Sequence, residues 1–185
     1  MEGNGPDKHT PAGSTEPVAA VEAGPRNVVI KMGPPRTVNL TCYGFHVWAE
    51  DFLAAEKLYA PTARRGSFVA QFLCCQSIEL SLKGFLSLKG LTRTKLRTQF
   101  GHNLAKLYDE AVAMGIGAYV VLQADDREII AQATSVYDSR GGKKLQYFDV
   151  LDALTAFKDL PELPGLEDLA SRLQAPRLRE LLVAG

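Results

Sequence analysis

The stretch that begins at Phe68 and ends near Gly90 constrains the fold more than any other part of the sequence. Apolar side chains recur on one face of this stretch at helical spacing. They are Phe68, Phe72, Cys75, Leu82 and Leu86. The opposite face carries a row of small residues, which lets a second backbone approach closely. They are Ala70, Ser77, Ser81 and Gly84. Because no wide charged face remains, we predict a central helix that is surrounded by its neighbours.

Three polar residues, Gln76, Glu79 and Lys83, lie inside the apolar sector of this predicted helix. Glu79 precedes Lys83 by four residues, which is the order that favours an ion pair along a helix. Buried charges usually stay paired, because removing water from one of them alone costs several kcal/mol. The sequence leaves two interpretations open. The three residues form a structural ion pair with an amide beside it, or they line a polar site together with His102.

The length and the charge of the chain limit the classes of protein to which it can belong. The chain has 185 residues, of which 46% are hydrophobic, and this is enough for one domain with its own core. Lysine and arginine together number 21, and so do aspartate and glutamate. The overall charge therefore gives no support for nucleic-acid binding, although it is compatible with a local basic patch.

The cysteines and the hydropathy pattern indicate the compartment. Cys42, Cys74 and Cys75 have neither the count nor the spacing of a disulfide framework or a zinc site, so we expect reduced thiols and neither a metal nor another cofactor. The apolar runs are too short to cross a membrane, and the first residues do not resemble a signal peptide. The sequence therefore predicts a cytoplasmic protein without a membrane partner.

The chain divides into four predicted segments. Residues 1–26 contain no Phe, Trp, Tyr, Leu or Ile and are predicted to be a disordered arm. Residues 27–43 are extended, as a short β-hairpin around two prolines or as a polyproline arm lying on the helices. Residues 44–160 are predicted to form a helical bundle, and residues 161–185 a C-terminal helical extension.

These segments predict an all-α, up-and-down bundle of about five main helices with short connections. The first helix is expected to begin at Gly44 and to end at Pro61. Its apolar stripe is predicted to face the core, with Trp48 as an anchor. The stripe consists of Phe45, Trp48, Phe52, Ala55 and Tyr59. His46, at the start of this helix, is predicted to be solvated or to cap it.

The connection after the central helix is the most basic local stretch of the chain and contains no acidic residue. Its charged residues are Arg93, Lys95 and Arg97. These positive charges stabilise the C-terminal end of the dipole of the preceding helix, or they form a rim that binds phosphate. The Gly-His-Asn-Leu segment at residues 101–104 then opens the next helix, which Asn103 or His102 is expected to cap.

Two of these segments carry a resemblance to a known family. Residues 72–83, followed by Gly-His-Asn-Leu at 101–104, resemble the HEPN superfamily, in which a helix with Gln, Glu and Lys precedes a Gly-His-Asp-Leu segment. Asn103 stands where Asp is more usual. Tyr137 matches a tyrosine that relatives often carry, and residues 145–148 loosely match their Arg-Tyr-Pro segment.

The resemblance covers residues 44–158 and implies an up-and-down helical bundle that often forms a homodimer. Members of the superfamily include metal-independent ribonucleases, toxins, phage-defence proteins and inactive interaction modules. The first function that it implies is a non-catalytic module that dimerises or binds a protein, a nucleotide or RNA. The expected binding residues are Gln76, Glu79, Lys83 and Asn103.

The alternative that the resemblance implies is a metal-independent endoribonuclease in a toxin or phage-defence setting. Nuclease members carry an Arg and a His separated by four to six residues, and Arg97 and His102 match that spacing. In this reading His102 is the general base for a ribose 2′-hydroxyl, and Arg97 holds the scissile phosphate. Thr98 replaces the usual Asn, Asp or His, and Gly101 places His102 at a helix junction. Both departures favour a role in which His102 braces the bundle, hydrogen-bonded toward Glu79 or Lys83.

Overall fold

The computed structural model describes residues 41–63, 67–138, 145 and 160–184. Six α-helices of nine or more residues lie in these ranges, and no strand does. They are α1 (Cys42–Tyr59), α2 (Phe68–Leu88), α3 (Leu104–Ala113), α4 (Asp126–Tyr137), α5 (Leu163–Arg172) and α6 (Pro176–Ala184). The predicted all-α class is therefore confirmed for the described part of the chain. None of these helices has the length and hydrophobicity that a membrane crossing requires.

Several predicted features lie outside the described residues. They are the arm at 1–26, the hairpin at 27–40, and residues 146–148 of the loosely matching segment. Residues 42 and 43, which were assigned to the extended segment, belong instead to the first turn of α1. The helix begins there because Thr41 caps it, with Oγ1 accepting a hydrogen bond from the backbone N–H of Gly44 at 3.2 Å.

Helix α2 is the centre of the described fold, because it contacts each of the other five helices. Ser67 caps its start, with Oγ accepting from the backbone N–H of Ala70 at 3.4 Å. The helix ends at Leu88, and Gly90 follows with φ of +93°, a conformation that glycine adopts without strain. The predicted central helix and its predicted end are both confirmed.

The row of small residues on α2 faces α1, which runs antiparallel to it. A Cβ atom added to Gly84 would lie 2.9 Å from the backbone oxygen of Cys42, closer than real Cβ contacts. Further along, the hydroxyl of Ser77 donates a hydrogen bond to the backbone oxygen of Ala49 at 2.8 Å. The close backbone approach that the small residues predict is therefore confirmed.

This contact determines which face of α1 is buried, and the predicted stripe is the wrong one. Trp48 and Tyr59 are each 36% exposed. The residues of α1 that are buried lie on a different side of the helix. They are Cys42, His46, Ala49, Leu53 and Glu56, while Gly44 is buried on another side. Two small residues of this face, Cys42 and Ala49, lie against Gly84 and Ser77 of α2, and this close contact sets the orientation of α1.

His46 and Glu56 are polar residues on this buried face of α1. The prediction that His46 is solvated or caps the helix is wrong, since its ring is fully buried and Nε2 lies 3.6 Å from the carboxylate of Glu50. Burial lowers the pKa of His46. The pKa of Glu56 is raised to about 7, first by burial and then by the neighbouring carboxyl of Glu167 on α5.

An ion pair between Arg172 and Asp126 connects α5 to the start of α4. Arg172 binds both carboxylate oxygens of Asp126, which is fully buried, and its Nε donates to Asp168 at 2.8 Å. The hydrogen bonds to Asp126 raise the pKa of Arg172, so its guanidinium stays charged. Asp126 also accepts from the backbone N–H of Gln123 at 2.8 Å, which ties the connection before α4 to the same carboxylate.

Candidate functional site

Glu79 is the hub of a polar network inside the bundle, although only 3% of the residue is exposed. Its Oε1 forms an ion pair with Nζ of Lys83, one helical turn along α2. Its Oε2 lies 3.0 Å from Nδ1 of His102 and accepts a hydrogen bond from the hydroxyl of Tyr137 at 2.5 Å. The predicted ion pair is confirmed, and the two segments that carry the family resemblance contact each other through this carboxylate.

The network keeps Glu79 ionised. Burial alone raises the pKa of its carboxyl, but the hydrogen bond with His102, the charge of Lys83 and the hydroxyl of Tyr137 outweigh burial, and the pKa lies below its usual value. Burial and the negative charge of Glu79 raise the pKa of Tyr137, so that hydroxyl remains a donor. These three partners hold the carboxylate of Glu79 in place as a fixed negative charge below His102.

The chain between α2 and α3 places His102 over Glu79 through an irregular helical segment. A single α-helical turn, Arg93–Lys95, runs directly into a π-helix, Leu96–Phe100, which is anchored by the buried side chain of Leu96. Gly101 ends it with φ of +58° and donates its N–H to the backbone oxygen of Leu96 at 3.0 Å. Such π-helical turns are frequent at functional sites. Here the turn reverses the chain so that His102 points back at α2.

An open pocket of about 660 Å³ lies beside this network. It is bounded by the start of α1, the second half of α2 and the connection that ends at His102. Its lining residues are Phe45, Lys83, Arg93, Thr94, Leu96, Arg97, Gly101 and His102. None of these described lining residues is acidic. The pocket is therefore a concave surface on which three permanent positive charges and one imidazole converge.

The basic residues of the pocket differ in how they are paired. Lys83 is only 13% exposed at its side chain and is neutralised by Glu79. Arg93 and Arg97 are exposed, and neither forms an ion pair with another residue in the described ranges. The side chain of His102 is 40% exposed. Because Nδ1 of His102 faces Glu79, Nε2 is the ring nitrogen that a molecule in the pocket can reach.

The structure brings four of the six predicted site residues together. Glu79, Lys83, Arg97 and His102 form the network and one wall of the pocket. Gln76 is half-buried and is not a lining residue of the pocket. Asn103 caps α3, with Oδ1 accepting from the N–H of Lys106 at 2.8 Å and Nδ2 donating to Asp138 at 2.9 Å. Of the two candidate caps, the structure assigns the role to Asn103.

Phe45 is a pocket residue that sequence reasoning missed as part of the site. It lies on α1, 38 positions before Lys83, and was assigned to the core stripe. The sequence contains no signal for its place in the pocket, because that place depends on how α1 packs on α2. Arg93 was noted for its charge, and the structure adds that its side chain shares a pocket with Arg97.

The site contains no obvious ligand set for a metal. In the described part of the chain, no group of three His, Cys, Asp or Glu side chains lies close enough to hold a metal ion. Fold and site together define an all-α protein with a basic pocket built over a buried carboxylate. A comparison with protein-family models, curated proteins and solved structures finds no match.

Proposed function

We propose that this chain is a HEPN-like helical module whose basic pocket binds a phosphate group of RNA or of a nucleotide. The observation that carries the proposal is the convergence of Arg93, Arg97 and Lys83 on one pocket without an acidic neighbour in its described lining. Guanidinium groups are suited to phosphate, because their planar donor pairs bind two oxygens at once. The sequence also predicts a homodimer, a protein partner and a cytoplasmic location. These stay predictions of the same proposal.

The family part of the proposal is supported by the contact between its two diagnostic segments. Glu79 and Lys83 come from the first segment, and His102 comes from the second. Tyr137, the third matching residue, donates to the same carboxylate. Residues that are distant in the sequence and belong to one motif thus meet at one point in an all-α fold.

Replacing Arg97 by glutamine is expected to weaken the binding of a fluorescein-labelled single-stranded oligoribonucleotide by about tenfold or more. A charge-assisted hydrogen bond contributes roughly 1.5–3 kcal/mol, and the removal of one phosphate contact is expected to reduce the slope of log K against log salt by about 0.7. Fluorescence anisotropy at several salt concentrations measures both quantities.

The matched control is Arg127→Gln, which removes the same charge from an exposed arginine on α4 that pairs with Asp109 outside the pocket. Its affinity is expected to stay within about twofold of the wild type. Equal losses in Arg97→Gln and Arg127→Gln would show that binding follows net charge alone, and the pocket would then be the wrong site.

A second candidate function is metal-independent cleavage of RNA, and one observation favours it. The carboxylate of Glu79 holds Nδ1 of His102, so Nε2 is directed to the pocket that Arg97 also lines. An imidazole oriented by a carboxylate is a suitable general base for a ribose 2′-hydroxyl. His102 would take the proton of the 2′-hydroxyl, whose oxygen attacks the adjacent phosphorus to form a 2′,3′-cyclic phosphate. The 5′-oxygen would leave as a hydroxyl after taking a proton from water.

This candidate predicts that His102→Asn and Arg97→Gln each slow cleavage of an oligoribonucleotide in EDTA by about 100-fold or more. Denaturing gel electrophoresis measures the products, and circular dichroism checks that both variants are folded. The matched substrate has a single 2′-deoxyribose at the cleaved position and is expected to resist. If the wild type leaves the oligoribonucleotide intact under these conditions, the cleavage candidate is refuted.

A further inference from the structure

The number of unpaired positive charges in the pocket indicates which kind of phosphate it binds. Glu79 neutralises Lys83, and the two are in direct contact below the pocket wall. Arg93 and Arg97 have no acidic partner in the described ranges, and both line the pocket. The site therefore presents two permanent positive charges, those of Arg93 and Arg97, that a ligand has to balance.

Phosphate esters differ in the charge that they offer to such a site. An internal phosphodiester of RNA carries one negative charge and two oxygens without a further bond. A terminal phosphate monoester carries about 1.5 to 2 negative charges at pH 7 and has three acceptor oxygens. Two guanidinium groups that each bind two oxygens are matched by the monoester, because a diester lacks both the second charge and the third oxygen.

The remaining pocket residues suit what is attached to such a phosphate. Phe45 is half-buried and is the aromatic side chain of the lining, in the same pocket as the arginines, whereas Leu96 is buried. Stacking of a base on an aromatic side chain contributes about 1–3 kcal/mol and tolerates any base. The pocket thus offers an apolar surface for a nucleoside beside a cationic surface for its phosphate.

We infer that the pocket binds a terminal phosphate monoester, carried by a nucleotide or by the end of an RNA chain, in preference to an internal phosphodiester. This inference rests on the proposed phosphate-binding function and names its ligand class. Arg93 and Arg97 are the residues that distinguish the two kinds of phosphate. The inference also separates binding from the cleavage candidate, which acts on an internal phosphodiester.

The experiment compares two oligoribonucleotides of one sequence, one with a 5′-phosphate and one with a 5′-hydroxyl, by isothermal titration calorimetry. The phosphorylated oligomer is expected to bind at least tenfold more tightly. Arg93→Gln is expected to reduce that preference to less than threefold, because one of the two unpaired charges is gone, whereas Arg127→Gln is expected to preserve it. Adenosine 5′-monophosphate in parallel identifies the source, since equal affinity indicates a nucleotide and weaker affinity indicates an RNA end.

Two outcomes would overturn the inference, and they are distinguishable. Equal binding of both oligomers, weakened by Arg97→Gln, would refute the preference for a monoester but keep the phosphate site. No binding of either oligomer or of adenosine 5′-monophosphate would refute the proposed function and this inference together. A preference that survives in Arg93→Gln would also refute the inference, because the second charge would then have no role in it.

Discussion

Replacing Arg172 by alanine is expected to lower the free energy of unfolding by about 3–5 kcal/mol. The guanidinium binds both oxygens of Asp126, whose side chain is fully buried and would be left as an unpaired charge. It also donates to the backbone oxygen of Val121 at 2.6 Å and to Asp168, so α5 would lose its polar contacts with the start of α4. Urea denaturation followed by circular dichroism at pH 7 measures the loss.

The matched control is Arg127→Ala, which removes an arginine whose side chain is 76% exposed in its pair with Asp109. A surface pair of this kind contributes about 0.2–1 kcal/mol. The double variant Asp126→Leu with Arg172→Met is expected to be more stable than Arg172→Ala, because the stranded charge is removed. A loss below about 1 kcal/mol in Arg172→Ala would contradict the importance of this pair.

Replacing Glu79 by alanine is expected to have an effect of similar size, about 3–5 kcal/mol. The change leaves Lys83, at 13% exposure, without its counter-charge and leaves the hydroxyl of Tyr137 without its acceptor. The matched control is Glu128→Ala on the exposed face of α4, which is expected to change stability by about 0.5 kcal/mol or less. Urea denaturation of the three proteins at pH 7 gives the comparison.

The Glu79 effect is also expected to depend on pH in one direction. The pKa of Glu79 is lowered in the folded protein, so its contribution is complete above the usual carboxyl value of about 4.5 and is lost as the pH falls through the lowered value. The stability difference between wild type and Glu79→Ala should therefore be constant above about pH 6 and shrink below about pH 4.5. A difference that is unchanged at pH 3 would show that the carboxylate charge is not what stabilises the network.

The features that the sequence predicts correctly are those set by spacing within one element. The four-residue spacing of Glu79 and Lys83 places them on one helix face wherever that helix lies, and the ion pair follows. The end of α2 near Gly90 follows from the conformational freedom of glycine. The basic connection and the Gly-His-Asn-Leu segment are adjacent in the sequence, so Arg97 and His102 must lie close together.

The features that it does not predict depend on which surfaces meet. The stripe with Trp48 is more apolar than the face with Cys42 and Ala49, yet the narrower face is buried, because the distance to α2 is set by Gly84 and Ser77. Periodicity measures hydrophobicity along one helix and contains no information about the width of its partner. The pairing of Arg172 with Asp126 joins residues 46 positions apart, and no local pattern relates them.

The close contact of α1 and α2 has a consequence for the pocket beside it. Gly84 follows Lys83 directly, and a Cβ added to Gly84 would lie 3.4 Å from the Cβ of Phe45. Two lining residues of the pocket are thus carried by backbones that already touch, so their separation is fixed before any ligand arrives. A preorganised wall loses little conformational entropy on binding, which leaves more of the interaction energy for affinity. In this chain the smallest side chains give the pocket its rigidity.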